Sequence, residues 1–200
     1  MSAVIISGDT SGAVTLNAPA IAGTTTLTLP GSSGPLSLMQ LETAKTATGT
    51  SIDFTSIPSW VKKITVMFQG VSTVASGTTS GTIIQIGTGG TPTTSGYATF
   101  SIGGQNVLNA RQITNGFYAT ANQTAAAGVN SGHVVLTNIT GNAWVASGIV
   151  VDTTSAANGQ YTVSAGSISL GGVLNMLRIT TQGGTDTFDA GTVNVLYEGY

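Results

Sequence analysis

The chain is predicted to be all-β: a jelly-roll-like antiparallel β-sandwich preceded by an extended N-terminal β arm. Three observations lead there. Apolar residues recur at every second position through most of the sequence, the period of a strand whose side chains alternate between two faces. Clusters of Gly, Asn and Ser interrupt these runs every ten residues or so, as in "STVASGTTSG", "GTGGTPTTSG", "TSAANG" and "QGGTD", the punctuation of many short strands. Helical periodicity is nearly absent.

The first element is the arm, "GAVTLNAPAIAGTTTLTLP", residues 12–30. Val14, Leu16 and Ala18 share one face of an extended segment, and Leu27 and Leu29 share another. Residues 1–44 contain no Phe, Tyr or Trp. A hairpin with so little bulk is marginal alone in water, so its apolar face must be covered by the main domain or by other copies of the chain. These five residues are the candidate attachment and oligomerisation surface. Residues 36–45, "LSLMQLETAK", follow as a linker, with the spacing of Leu38, Leu41 and Glu42 allowing two or three helical turns. The β domain, residues 45–200, begins there. In it Ile64, Val66 and Phe68 alternate with Thr65, Met67 and Gln69, and Ile84 and Ile86 flank Gln85. Ala98, Phe100 and Ile102 alternate with Thr99 and Ser101. Val135, Thr137 and Ile139 follow, then "WVASGIVVD", then Tyr161, Val163 and Ala165. Leu177 and Ile179 straddle Arg178, and Val193, Val195 and Tyr197 close the series. These residues and both Trp are enough for one sandwich core.

Composition narrows the function. Of 200 residues only 6 % are charged, against roughly a quarter in a typical soluble protein, and the net charge is −2. With 40 % hydrophobic residues this is not a disordered composition; it suits neutral β surfaces in contact with other chains. The basic residues Lys45, Lys62, Lys63, Arg111 and Arg178 are scattered, so no electrostatic footprint for nucleic acid exists. The absence of cysteine excludes disulfides, thiolate metal sites and thiol nucleophiles. The start "MSAVIISGD" lacks the basic and long apolar regions of a signal peptide, and no run approaches the ~20 apolar residues of a membrane span.

Several stretches together resemble a known family. "SGAVTLNAPAIAGTTTLTLP" resembles the N-terminal module of many tailed-bacteriophage fibre and virion surface proteins. "SIDFTSIPSWVKKITVMFQGVST", with "IIQIGTGG" and "TSGY" after it, is similar to the start of the C-terminal domain of such proteins, and "DTFDAGTVNVLYEGY" fits their ending. Residues 105–170 add only compatible composition. The resemblance implies a β-rich, usually trimeric protein on the virion surface, attached to other virion proteins by its N-terminal segment with the C-terminal domain outward. It also implies assembly in the host bacterial cytoplasm and release by lysis.

Candidate chemistry is sparse, and no catalytic, cofactor or metal residue is expected. Asp53 lacks a neighbouring acid with which to do paired-carboxylate chemistry and reads as a turn or strand-end carboxylate. Asp186 and Asp189, in "GGTDTFDAG", have too few companions for a calcium loop and read as turn residues. His133, the single histidine, has no evident triad or metal partners and reads as an exposed residue at the start of a strand. "GTTSGT" and "IGTGGT" lack the lysine of a phosphate loop. Among the aromatics, Trp60 and Trp144 read as core. Tyr97, Phe117, Tyr118 and Tyr161 lie among polar residues, the material of a sugar-binding surface. The loop "RQITNGFYATANQT", with Arg111, Asn115, Phe117 and Tyr118, is therefore the candidate contact surface for a host glycan or protein.

Three functions are consistent with these features. The first is a homotrimeric fibre- or spike-like projection that binds the host, its weak contacts multiplied by symmetry. The second is a capsid decoration (cement) protein or head fibre whose N-terminal strand augments a neighbouring sheet. The third, a polysaccharide-cleaving spike, requires carboxylates paired across a subunit boundary.

Overall fold

The computed structural model describes residues 3–7, 13–17, 37–104, 109–122, 126, 128–154 and 160–199. The chain divides into two compact units, Met1–Pro35 and Leu36–Tyr200. In the first, β1 (Ala3–Ser7) and β2 (Ala13–Asn17) form an antiparallel hairpin in which Val4 stands opposite Leu16 and Ile6 opposite Val14. Two of the five candidate arm residues, Val14 and Leu16, thus lie on β2. Ala18, Leu27 and Leu29 lie outside the described residues.

The second unit runs through β3 (Leu38–Leu41), β4 (Lys45–Thr46), β5 (Ser51–Thr55), β6 (Val61–Thr73), β7 (Thr82–Thr88) and β8 (Thr91–Pro92). It continues with β9 (Ala98–Gly104), β10 (Asn109–Ile113), β11 (Phe117–Tyr118), β12 (Asn130–Thr140) and β13 (Ala143–Asp152). It closes with β14 (Tyr161–Ser169), β15 (Met176–Thr181) and β16 (Phe188–Gly199). A large antiparallel sheet has the order β10-β9-β14-β13-β12-β6-β16-β3, with β4 also on β16. A small sheet has the order β11-β7-β15-β5, with β8 also on β7. The architecture is all-β and sandwich-like, as the period of two predicts.

One core joins the two sheets. From the small sheet come Ile52, Phe54, Ile84, Ile86, Leu177 and Ile179. From the large sheet come Ile64, Val66, Phe68, Val134, Leu136, Trp144, Val193, Val195 and Tyr197. Trp144 is buried in this core and Trp60 packs partly buried against it, so both tryptophans pack with the core.

The helical turns expected at residues 36–45 are not formed. Leu38–Leu41 and Lys45–Thr46 are strands on β16, with Leu41 opposite Leu196 and Lys45 opposite Val193. The competing force is tertiary: β16 offers a ladder of backbone groups, and its pairing outweighs a weak local propensity. Leu38–Leu41, expected as part of the linker, thus lies in the second compact unit.

Candidate functional site

The candidate host-contact residues separate in space. Phe117 and Tyr118 are buried, which corrects the expectation that this loop presents them outward. As β11 they join the small sheet, Phe117 opposite Ile84 and Tyr118 opposite Ile83. Tyr118 packs with Ile83, Ile113 and Ala121 in a second small core. The Phe117 ring meets Tyr97 edge to face, with centroids 5.0 Å apart and planes at 89°. Tyr97 is likewise buried. These rings supply packing area rather than a sugar platform. Arg111 is half-buried on β10, beside a small cavity it shares with Asn109, Asn122 and Tyr161. Asn115 is also half-buried, but lines a different depression on the small sheet.

The acids take structural positions. Asp53 stands on β5 opposite Arg178 of β15. It accepts two hydrogen bonds, from Arg178 Nε at 2.7 Å and Nη2 at 2.6 Å, the planar two-point pairing that suits a guanidinium. That bonding raises the Arg178 pKa further above its ordinary value. Asp189 accepts the Ser72 hydroxyl at 2.5 Å. No cluster of three or more His, Asp or Glu suited to a metal ion occurs among the described residues. His133 is exposed on β12, opposite Met67 and Ile149.

The unusual surface is the outer face of the large sheet. In β9 and β14 the pattern is inverted relative to the core. Thr99, Ser101, Thr162 and Ser164 point inward, each 1–6 % exposed, while Phe100, Ile102, Tyr161 and Val163 point outward. Ile149 and Val151 of β13 join them, and the six apolar side chains are 37–49 % exposed. Register makes them contiguous: Ile102, Val163 and Ile149 form one row, Tyr161 lies opposite Val151, and Phe100 lies opposite Ala165. At roughly 150–200 Å² per side chain they expose about 450 Å² of apolar surface, the size of the largest patch on a typical monomer, which is often functional.

The inverted strands have a cost on their inner side. The hydroxyls of Thr99 and Ser101 are buried with no hydrogen-bond partner among the described residues. Ser164 finds one, donating to the Tyr118 carbonyl at 2.7 Å. A second apolar exposure lies on β3, where Leu38, Met39 and Leu41 are 46–70 % exposed. Leu41 borders a groove of about 320 Å³ formed with Ala44, Met67, Phe68 and Thr192.

Sequence periodicity marked β9 and β14 as strands but could not say which face turns inward. The signal available was that Thr99, Ser101, Thr162 and Ser164 are small enough to sit under another layer. Compared with known protein families, with characterised proteins and with solved structures, the chain matches none.

Proposed function

We propose that the chain is a non-enzymatic structural protein of a tailed-bacteriophage particle. It is a homotrimeric fibre- or spike-like projection on the virion surface, attached through its N-terminal arm, with the β domain turned toward the host. The observation that carries this reading is the inversion of β9 and β14. Sliding either strand by one residue would exchange its two faces, burying Phe100, Ile102 and Val163 and releasing the hydroxyls to water. A chain selected to stand alone in water has every reason to do so. Keeping the apolar set outside makes sense when another surface covers it. About 450 Å² is more than half of one partner's share of a standard interface. The six outward side chains are themselves uncharged, which suits contact with a second apolar surface.

The test is the native mass of the full chain by light scattering, beside Val163→Asp. A trimer reduced to monomer by the substitution, with an unchanged far-ultraviolet spectrum, supports the reading. A wild-type monomer, or a variant that stays trimeric, counts against it.

A second reading has its own observation. The exposed Leu38, Met39 and Leu41 put apolar surface near the N-terminal end of the β domain, and the aromatic residues of the loop at 111–124 are buried. A decoration protein that cements neighbouring capsid subunits needs that arrangement. Gold-labelled antibody against the chain separates the two readings, marking projections in the first case and the capsid lattice in the second.

A further inference from the structure

We infer that the depression on the outer face of the small sheet is a binding site for one unit of a neutral saccharide. It is a groove of about 330 Å³ across β5, β7 and β15, within the size range of small-molecule sites. Six side chains matter: Thr50, Gln85, Asn115, Arg178, Thr181 and Gln182. Gly183 and Gly184 form part of its wall, and Gly184 has φ +73° with open space where a Cβ would stand.

The polar groups are held in place before any ligand arrives. Gln85 donates its amide nitrogen to the Asn115 carbonyl at 2.9 Å, and Asn115 donates its own to the Gln182 carbonyl at 3.0 Å. With each nitrogen tied to the backbone, the side-chain oxygens of both amides remain as fixed acceptors. Thr180 donates its hydroxyl to the Thr50 carbonyl at 2.9 Å and braces the floor.

Two groups are left without a partner among the described residues. Thr181 is 1 % exposed and its hydroxyl is unpaired, as is the Gln182 side-chain oxygen. Buried polar atoms in native proteins nearly always have partners; these two belong to residues that line the groove, so a ligand seated there can supply the missing partner once the side chains turn toward it.

The chemistry selects the ligand class. Sugar hydroxyls both donate and accept, which suits a wall of amide oxygens, threonine hydroxyls and the Arg178 Nη1 donors. Arg178 is already neutralised by Asp53 at 2.6 Å, so the groove offers a phosphate or carboxylate little net attraction, and its fixed acceptor oxygens repel an anion. No aromatic ring is among its described lining residues, so ring stacking adds nothing here and a single site binds weakly. A particle bearing many copies overcomes such weakness by avidity. Only the source of the sugar, a host surface glycan, rests on the virion reading above; the site itself does not.

The experiment is saturation-transfer difference NMR of the full chain with glucose, galactose, mannose and N-acetylglucosamine, and with glucuronate and inorganic phosphate as anionic controls. At least one neutral sugar is expected to give a signal that Thr181→Val reduces threefold or more. Because the replaced hydroxyl has no partner, the melting temperature should hold or rise. If Thr181→Val instead lowers it, Gln182→Ala takes its place with the same expectation. Silence from all four sugars, a signal unaffected by the working variant, or a stronger signal from an anion overturns the inference. A negative result from a chain that antibody labelling finds on virions removes the site alone. A positive one from a chain missing from virions removes the virion reading alone.

Discussion

The Tyr97 hydroxyl is bonded twice to a single residue: it accepts the Ile86 N–H at 2.8 Å and donates to the Ile86 carbonyl at 3.1 Å. Ile86 lies on β7 between the stretch paired with β11, at residues 83–84, and the stretch paired with β8, at residues 87–88. The phenol stands in for a missing neighbouring strand: it satisfies an Ile86 N–H that would otherwise be buried and bare, while the Ile86 carbonyl also accepts the Thr93 N–H at 3.0 Å. Tyr97→Phe keeps the ring against Phe117 but removes both bonds. It should cost about 1–3 kcal/mol, lowering the melting temperature by about 2–4 °C per kcal/mol for a chain of this length, as calorimetry would read. An unchanged melting temperature would mean that water replaces the hydroxyl.

Burial also makes the fold sensitive to alkali. The Tyr97 and Tyr197 hydroxyls have pKa values raised above the ordinary 10, chiefly by desolvation; Ile86 opposes the shift at Tyr97, and the charge of Glu42 adds to it at Tyr197. Tyr118 is raised by burial and opposed by Arg111. These groups hold their protons in the folded state after the unfolded chain has lost them. Their contribution is therefore fully present below pH ~10 and is lost as pH rises through the folded-state values. Denaturant titrations at pH 9, 10 and 11 should show stability falling mostly over the last interval on their account, with a shallower fall in Tyr97→Phe.

Gly191 cannot carry a side chain. It sits on β16 at an irregularity in the pairing with β6, with φ +95°, and a Cβ there would stand 2.5 Å from the Gly70 carbonyl carbon and oxygen. Gly191→Ala combines left-handed strain with a backbone clash and should cost about 2–4 kcal/mol. Gly171→Ala, where a Cβ meets nothing within 4 Å and no positive φ intervenes, should change stability by less than about 0.5 kcal/mol. Urea midpoints of the two variants measure the contrast.

The unpaired hydroxyl of Thr99 predicts a gain. Thr99→Val preserves shape and removes a buried polar group without a partner, so stability should hold or rise by about 0–1 kcal/mol. A loss above 1 kcal/mol in thermal unfolding would show that a trapped water serves the hydroxyl.

Much of the fold was legible because strand period survives any tertiary context. The alternations at Ile64–Phe68, Ile84–Ile86 and Leu177–Ile179 became β6, β7 and β15, with the apolar side inward. What periodicity lacks is a sign: in β9 and β14 the same alternation turns its apolar side to water, and only the neighbouring strands decide that. Leu38–Leu41 misled because its spacing fits a helical turn while its partner, Leu196, lies over 150 residues away. Phe117 and Tyr118 misled because their sequence neighbours are polar, whereas their burial comes from Ile83 and Ile84 on β7. The groove was invisible for a related reason. Thr50, Gln85, Asn115 and Arg178 carry no shared motif and meet only once β5, β7 and β15 are paired. The Asp53–Arg178 pair bridges 125 positions.

The place of β16 sets a timetable for the molecule's birth. This strand lies between β6 on one side and β3 and β4 on the other, so that end of the large sheet, beyond β6, stays open until residues 188–199 have been translated. At about 5–20 residues per second, synthesis from β6 onward takes several seconds or more. Throughout that time Ile64, Val66 and Tyr197's future neighbours lack their partner, and pairings this remote in sequence form slowly even afterwards. The nascent chain therefore carries two uncovered apolar surfaces at once, the unfinished core and the outward side of β9 and β14. Cooler expression and abundant chaperone should raise the yield of native protein more than any change of buffer.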